Sequence, residues 1–529
     1  MARLGIDFGT TNTLAVVHDR GMFSIANHQA STGAGTIVQD AFPSAILIDG
    51  KSGERWYGVE ADRRFAQLGP LCDGIYLPSL KRHLRDYVAG QRLSFAAGRE
   101  GEADDLDVVE LLTGFLSALA GSIRQSQGLA DDEPLETVIT WPANANGAQR
   151  HVTRSCFRAA GFQVLDTLNE PTASAIELAD CLTAGRSRRA VTEPMAVAVF
   201  DLGGGTFDAS MVWVEGQSFR VLASAGIESL GGDDLDQVLV NMFLDRLGGS
   251  PETVSPLTRH ALLRQARSQK ESISTGAVRS LFLNPMDFGL KGHPVSLPVD
   301  AYYERIRPRL APAVVLLGEV IESAAKRQPN ITEAGRLTVY LVGGSSKLPL
   351  VAEMVSAAFP DSRVVLTDKP FRSVAMGAAI CAMDRVSYRD VFARHFGLLR
   401  LRDHGRVETF DTIFPAGTPI PRRGEPPLEK VARYHPAHNV GHLRYLECTA
   451  IGSDGLPADG VRTWSDILFP YDPAQSLTAE LAPTEIETTD RFSNEPVCEV
   501  YRCDHDGVIT VELRRPACRD ARCYEIFSE

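Results

Sequence analysis

Two short glycine-rich stretches carry residue types suited to binding phosphate. The first runs Asp7-Phe8-Gly9-Thr10-Thr11-Asn12 and the second Asp201-Leu202-Gly203-Gly204-Gly205-Thr206-Phe207-Asp208. A phosphate loop needs Gly because the backbone must come close to the anion, often at positive φ. The bared N–H groups then form an anion-binding nest, and Thr hydroxyls add donors. An Asp beside such a loop would repel phosphate unless a cation stood between them, so Asp7, Asp201 and Asp208 point to Mg²⁺ held largely through water. Tight glycine turns with capping acids would explain either stretch alone. They do not explain two matched stretches about 195 residues apart, with Asp and Thr placed alike. A P-loop is not the binder, because no G-x-x-x-x-G-K-[ST] occurs.

Each stretch must be held by a hairpin. Leu4–Ile6 and Thr13–Val17 flank the first turn, and Ala196–Phe200 and Ala209–Val214 flank the second, all apolar and strand-like. This spacing implies two related halves rather than a solenoid, whose repeats recur every 20–50 residues. Helical periodicity lies between the strands: Val108, Leu111, Leu112, Phe115, Leu116, Leu119 and Ile123 share one face of 107–127. Pro171–Leu182 and Arg305–Arg327 read the same way. Strands and helices alternate to about residue 385, the pattern of an α/β domain. Beyond it come short alternating segments broken by Pro, Gly and Asp, such as Leu443–Ala450. Asp506-Gly507 sits between two of them as a hairpin turn.

The 529 residues are enough for two to four domains. A net charge of −13 argues against a general nucleic-acid binder, which would show a basic face. No run approaches 18 uninterrupted apolar residues, and the N-terminus lacks a signal-peptide core. Nine scattered cysteines do not form a secreted disulfide framework. The expectation is a cytoplasmic protein with reduced thiols and no membrane or nucleic-acid partner.

The paired loops resemble those of the actin–hexokinase–heat-shock ATPase superfamily, and their details are similar to DnaK-type 70-kDa heat-shock chaperones. The trailing Phe207-Asp208 is a mark of that family which bacterial actins generally lack. Val138-Ile139-Thr140-Trp141-Pro142-Ala143 resembles its proline-switch segment and Asn169-Glu170-Pro171-Thr172-Ala173 its connecting motif. Leu230-Gly231-Gly232-Asp233-Asp234-Leu235-Asp236 and Leu341-Val342-Gly343-Gly344-Ser345-Ser346-Lys347 complete the set, in order across about 385 residues. The resemblance implies an actin-like α/β ATPase domain over 1–385, a linker over 386–395, and a β-sandwich-like domain over 396–529 for a client or dedicated partner, with no helical lid.

It also implies roles for particular residues. Lys81 would position the attacking water and offset γ-phosphate charge in a slow hydrolysis of ATP to ADP. Gly9, Thr10, Thr11, Asn12, Gly203, Gly204, Gly205 and Thr206 would hold phosphates. Asp7 and Asp201 would hold hydrated Mg²⁺, with Glu170 and Asp208 orienting water or metal ligands. Gly231 and Gly232 would bind the nucleotide, and Lys270, Ser274, Gly343, Gly344 and Ser345 would cradle the nucleoside. Pro142 and Arg150 would relay nucleotide state, and K⁺ is a further cation that the resemblance admits.

The sequence departs from the family in several places. Arg267 replaces a Glu before Lys270, Lys347 replaces an Arg, and Pro370-Phe371-Arg372-Ser373 replaces an acidic pair. The leucine-rich linker is missing. Asp166 stands where the family carries an Arg used in J-domain cochaperone coupling, and the reversed charge should weaken that contact. These departures leave two readings: an ATP-dependent chaperone-like protein, or an ATP-gated scaffold with one partner and little turnover. An actin-like filament or a sugar kinase is disfavoured by Phe207-Asp208 and the C-terminal β segments. Finally, Cys498-x4-Cys503 and Cys518-x4-Cys523 are spaced at the edge of the range for zinc. The first pair would face opposite sides of a regular strand, so separate thiols are the expectation and zinc the alternative.

Overall fold

The computed structural model describes residues 2–526 apart from 33–34, 69–73, 85–86, 88–91, 97–102, 144, 184–193, 251, 253, 277, 334, 368–369, 403–406, 479–480, 495 and 516–519. The chain forms two compact units. The first comprises Met1–Asp86, Gly90–Ala143 and Val152–Tyr388; the second comprises Tyr87–Ala89, Asn144–His151 and Arg389–Glu529.

The first unit is built twice on one plan. Strands β1 (Arg3–Phe8), β2 (Asn12–Asp19) and β3 (Met22–Ile25) form an antiparallel meander. Strands β4 (Leu135–Trp141) and β5 (Phe162–Asn169) extend it in parallel, giving the order β5-β4-β1-β2-β3. The second sheet repeats this with the meander β6 (Met195–Leu202), β7 (Phe207–Glu215) and β8 (Ser218–Ile227). Parallel strands β9 (Leu337–Val342) and β10 (Arg363–Leu366) complete the order β10-β9-β6-β7-β8. The similarity between the two loops is therefore the visible part of a duplicated sheet. β6 and β7 are buried on both faces, which explains why they read as unbroken apolar runs rather than as alternation.

The helical periodicities form where expected. Helix α1 (Val108–Gln127) starts at Asp107, whose carboxylate accepts from Glu110 N at 2.9 Å, and ends before Gly128 at φ +65°. The others that bear on the site are α2 (Glu170–Thr183), α3 (Gly232–Arg246), α4 (Pro256–Ile273), α5 (Val299–Arg327) and α6 (Ser373–Cys381). α6 lies against the start of α2 so closely that a Cβ on Gly377 would stand 1.8 Å from Ala173 O. That approach fixes the first turn of α2, which carries Glu170.

The second unit is a β-sandwich. One sheet joins β11 (His395–Arg402), β12 (Val407–Phe414), β14 (Val440–Cys448) and β15 (Arg462–Pro470) in the order β12-β11-β14-β15. The other joins β13 (Leu428–Tyr434), β16 (Val497–Cys503), β17 (Ile509–Arg514) and β18 (Ala521–Glu525) in sequence. Phe396, Phe469, Tyr445, Tyr501 and Val511 fill the space between them. The Asp506-Gly507 turn joins β16 to β17, with Gly507 at φ +75°. Among the described residues no helix is long and apolar enough to cross a membrane.

Candidate functional site

The two glycine loops close on each other. Asp7 stands opposite Leu14 in the first meander, one residue before the β1–β2 turn. Asp201 stands directly opposite Asp208 in the second. Two like charges facing across an antiparallel pair repel, so this arrangement calls for a cation. The second turn is tied by Gly203 N donating to Thr206 O at 3.0 Å. A Cβ on Gly204 would stand 2.0 Å from Thr11 Oγ1, and one on Gly205 would stand 2.7 Å from Thr10 Cγ2. Glycine is thus demanded by the approach of one loop to the other. The start of α3 is fastened to the same loop, Gly232 N donating to Gly203 O at 2.9 Å and Asp233 N to Gly204 O at 2.8 Å.

Lys81 opens a short helix, Lys81–Leu84, and is 8% exposed. Its Nζ lies 2.8 Å from Glu170 Oε1. Around this one ammonium stand Asp7, Glu170, Asp201 and Asp208. Burial, then the Glu170 charge, push the Asp7 carboxyl up to about 7, with Lys81 opposing. Burial likewise holds Asp201 well above the usual carboxylate range, reinforced by Glu170, Asp208 and Asp7. For Lys81, burial favours the neutral amine, but Glu170, Asp7 and Asp208 outweigh it and raise the pKa. Lys81 therefore stays charged at neutral pH. One ammonium thus faces four carboxylates, and Thr11 Oγ1 is buried with no hydrogen-bond partner among the described residues. Oxygen-rich acids short of positive charge, beside an unsatisfied hydroxyl, fit a hydrated divalent cation and its phosphate ligand.

These residues line one end of a cavity of about 690 Å³. Asp7, Gly9, Thr10, Thr11, Asn12, Lys81, Glu170, Asp201, Gly203, Gly204 and Thr206 are on its wall, whereas Gly205, Asp208 and Gly231 are not. Gly232, Lys270, Ser274, Gly343, Gly344 and Ser345 line the remainder. Gly343 adopts φ +82°, and a Cβ there would lie 2.4 Å from Leu202 O. Ser345 Oγ donates to Gly203 O at 3.2 Å.

The sequence reading gave no role to an ion cluster beneath this end. Asp233 accepts from Arg82 at 2.6 Å and Arg267 at 2.7 Å, while Asp236 pairs with Lys270 at 2.8 Å. The signal was present: Asp233/Asp236 on α3 and Arg267/Lys270 on α4 are each spaced i,i+3, one charged face apiece. Arg267, the departure from the family's Glu, is therefore matched to acids on α3. Phe371, the other departure, puts an aromatic ring on the cavity wall, with Lys347 Nζ 4.8 Å from its centroid.

Two sets of predicted residues lie elsewhere. Pro142 is buried beyond the end of β4, off the cavity wall. Arg150 belongs to the second unit, where its Nε donates to Ala145 O at 3.0 Å. Burial draws its pKa down against the pull of Asp390 and Glu447. The cysteines of the zinc alternative have different surroundings. Cys503 faces the core of the second unit, Cys498 is half-buried, Cys523 is exposed, and Cys518 lies outside the described residues. Among the described residues these three thiols share no metal-ligand cluster.

The Hsp70 protein family model matches residues 108–398. Among curated proteins, the chain is similar to the chaperone protein HscA homolog of Acidithiobacillus ferrooxidans, at 34% identity over 296 residues, 55% of this chain and 44% of that protein. It is similar to the HscA homolog of Pseudomonas fluorescens at 31% identity over 389 residues, 72% of this chain and 57% of that protein. Chaperone protein HscA of Escherichia fergusonii matches at 30% over 392 residues, with the same 72% and 57%. The chain spans about half the length of the relatives it matches.

Proposed function

This chain belongs to the Hsp70 family, and we propose that it is an ATP-dependent chaperone of the cytoplasm whose first unit binds and hydrolyses ATP while its β-sandwich holds a polypeptide client. The observation carrying this reading is the pair of matched loops closing over half-buried Asp7 and buried Asp201, with the Lys81–Glu170 ion pair beside them. We assign nucleotide work to residues 1–385 and client binding to 396–529, joined by 386–395. Loop N–H groups and the Thr10, Thr11 and Thr206 hydroxyls would bind the phosphates, the ordinary behaviour of an anion nest. Asp7 and Asp201 would hold hydrated Mg²⁺, which when bound supplies charge neutralisation at the phosphates. Glu170 keeps Lys81 protonated and aimed, so its ammonium would orient water and offset charge building on the γ-phosphate. Gly343–Ser345 with Lys270 and Ser274 would take the nucleoside. Pro142 and Arg150 would transmit nucleotide state, with Asp166 weakening any J-domain contact.

The test is Lys81→Ala. Single-turnover hydrolysis should fall about 100- to 1000-fold, the size of losing one preorganised electrostatic donor. Binding of ATP with Mg²⁺, measured by calorimetry, should persist. Unchanged turnover would overturn the mechanism.

A further inference from the structure

The β-sandwich has its own cavity, of about 440 Å³, at the ends of β11, β13 and β14. Leu399, Leu401, Tyr434, Leu443 and Tyr471 form its apolar lining, and Ile486 closes it. Ile486 comes from none of those strands. It belongs to the segment joining β15 to β16, where residues 486–489 run extended and antiparallel along the loop 435–439. Asn439 N donates to Glu487 O at 3.0 Å and Thr489 N donates to Ala437 O at 3.0 Å. Glu487 N donates to Asn439 Oδ1 at 2.7 Å, and His438 and Thr488 form an isolated antiparallel bridge. His435 Nδ1 donates to the Ser493 carbonyl at 2.7 Å. A backbone held by main-chain hydrogen bonds, with one side chain delivered to a pocket, is how an extended peptide binds a β domain. Here the peptide is part of the chain.

Charge fits the same picture. Residues 481–493 contain Glu485, Glu487 and Asp490 against the single Arg491. The cavity wall carries Arg433, His435, His438 and His442, the last paired with Asp466, and one acid, Asp411, paired with Arg400. Arg433 is exposed, while Arg400 and Arg444 on the same wall are already paired with acids.

We propose that residues 481–493 are a built-in occupant of the client cleft, and that clients are extended segments placing an aliphatic residue beside acidic ones, which bind by displacing it. This rests on the client-binding reading given above. A competitor in the same chain lowers the apparent affinity for a free peptide by the fraction of time the cleft is open. Weakening the tether should therefore tighten binding in trans, the reverse of what loss of a structural contact would do.

The probe is a fluorescent synthetic peptide of residues 481–493, titrated into the full-length protein. Ile486→Ser should bind it about tenfold more tightly than the wild type, the order expected for loss of one buried side-chain contact. The same peptide carrying Ser at the Ile486 position should bind neither protein. Thr489→Pro, which removes the donor to Ala437 O without touching the pocket, should give a gain in the same direction. The wild type supplies a readout that needs no variant: the Glu487 and Thr489 amides should exchange hydrogen through local opening, well before those of β16. Equal affinity of wild type and Ile486→Ser, or exchange of those amides only on global unfolding, overturns the proposal. A reduced, carboxymethylated unfolded protein separates the two levels. If it binds with affinity untouched by Ile486→Ser, the built-in occupant fails alone. If neither it nor the peptide binds any form, the client reading fails.

Discussion

Asp7→Asn should stabilise the nucleotide-free protein at pH 8 while abolishing its stabilisation by Mg²⁺ and nucleotide. In the folded chain the Asp7 carboxyl titrates near 7, raised from 3.8 by burial and by the Glu170 charge, with Lys81 opposing. In the unfolded chain it ionises at the ordinary value. Between these two points the folded state keeps a proton that the unfolded state has released, so stability falls as pH rises, and the loss is complete above about 7. Roughly three units at 1.36 kcal/mol each set an upper bound of about 4 kcal/mol. Asp7 borders the cavity rather than a closed core, so screening reduces the expected effect to about 2 kcal/mol. Chemical denaturation of wild type and variant across pH 4.5–8.5 reads Asp7 together with its effect on Asp201 and Lys81, whose protonation the Asp7 charge favours. The curves should converge toward the acid end and separate by about 2 kcal/mol above pH 7, the variant being the more stable. Adding Mg²⁺ and ADP should reverse the order, since only the wild type has the carboxylate that the cation needs. A difference independent of pH, or a variant still stabilised fully by Mg²⁺ and ADP, would refute the reasoning.

Gly204→Ala places a methyl 2.0 Å from Thr11 Oγ1, so the loops must part. Affinity for ATP with Mg²⁺ should drop at least about tenfold by calorimetry, and an unchanged value would remove the closure of the loops from the binding argument. In the second unit Arg400 is the partner of Glu499, which is 0% exposed. Arg400→Met should cost about 3–5 kcal/mol in urea denaturation by stranding that carboxylate, whereas Arg400→Met with Glu499→Leu should recover most of it. Equal losses in single and double variants would show that Glu499 finds compensation elsewhere.

Legibility in the sequence followed contiguity. Each phosphate loop is a single stretch of chain, so its Gly, Thr and Asp could be read together and their duplication recognised. The hairpin at Asp506-Gly507 was readable for the same reason. Lys81 was different: an isolated Lys says nothing until the fold carries Glu170, 89 residues later, to 2.8 Å, and only resemblance pointed to it. Arg267 read as a lost Glu because its partners, Asp233 and Asp236, lie on another helix. The tether over the β-sandwich cavity left no signal at all. Its hydrogen bonds are made through its own main chain, which side-chain pattern does not encode, and the residue it places in the cavity, Ile486, sits among acids and threonines that read as an ordinary surface loop. For the cysteine pairs, strand period was the readable part: it separates Cys498 from Cys503, and Cys503 faces the core.

The duplication also explains why the site has a direction. Two copies of one meander place Asp7 and Asp201 at corresponding strand ends, and a symmetric pair of carboxylates asks only for a cation between them. What surrounds the pair is not duplicated. The first half and the helix that follows it supply Lys81 and Glu170, a cation held by an acid. The second half supplies Lys270, Gly343 and Ser345, with Asp233, Asp236 and Arg267 bracing them from α3 and α4. A triphosphate lying across the symmetric pair would therefore meet the Lys81 ammonium on one side and a partly apolar recess with Phe371 on the other. Only one orientation puts the terminal phosphate beside Lys81. Exchanging the nucleoside wall should thus alter affinity with little effect on the hydrolytic step, and exchanging Lys81 should do the reverse.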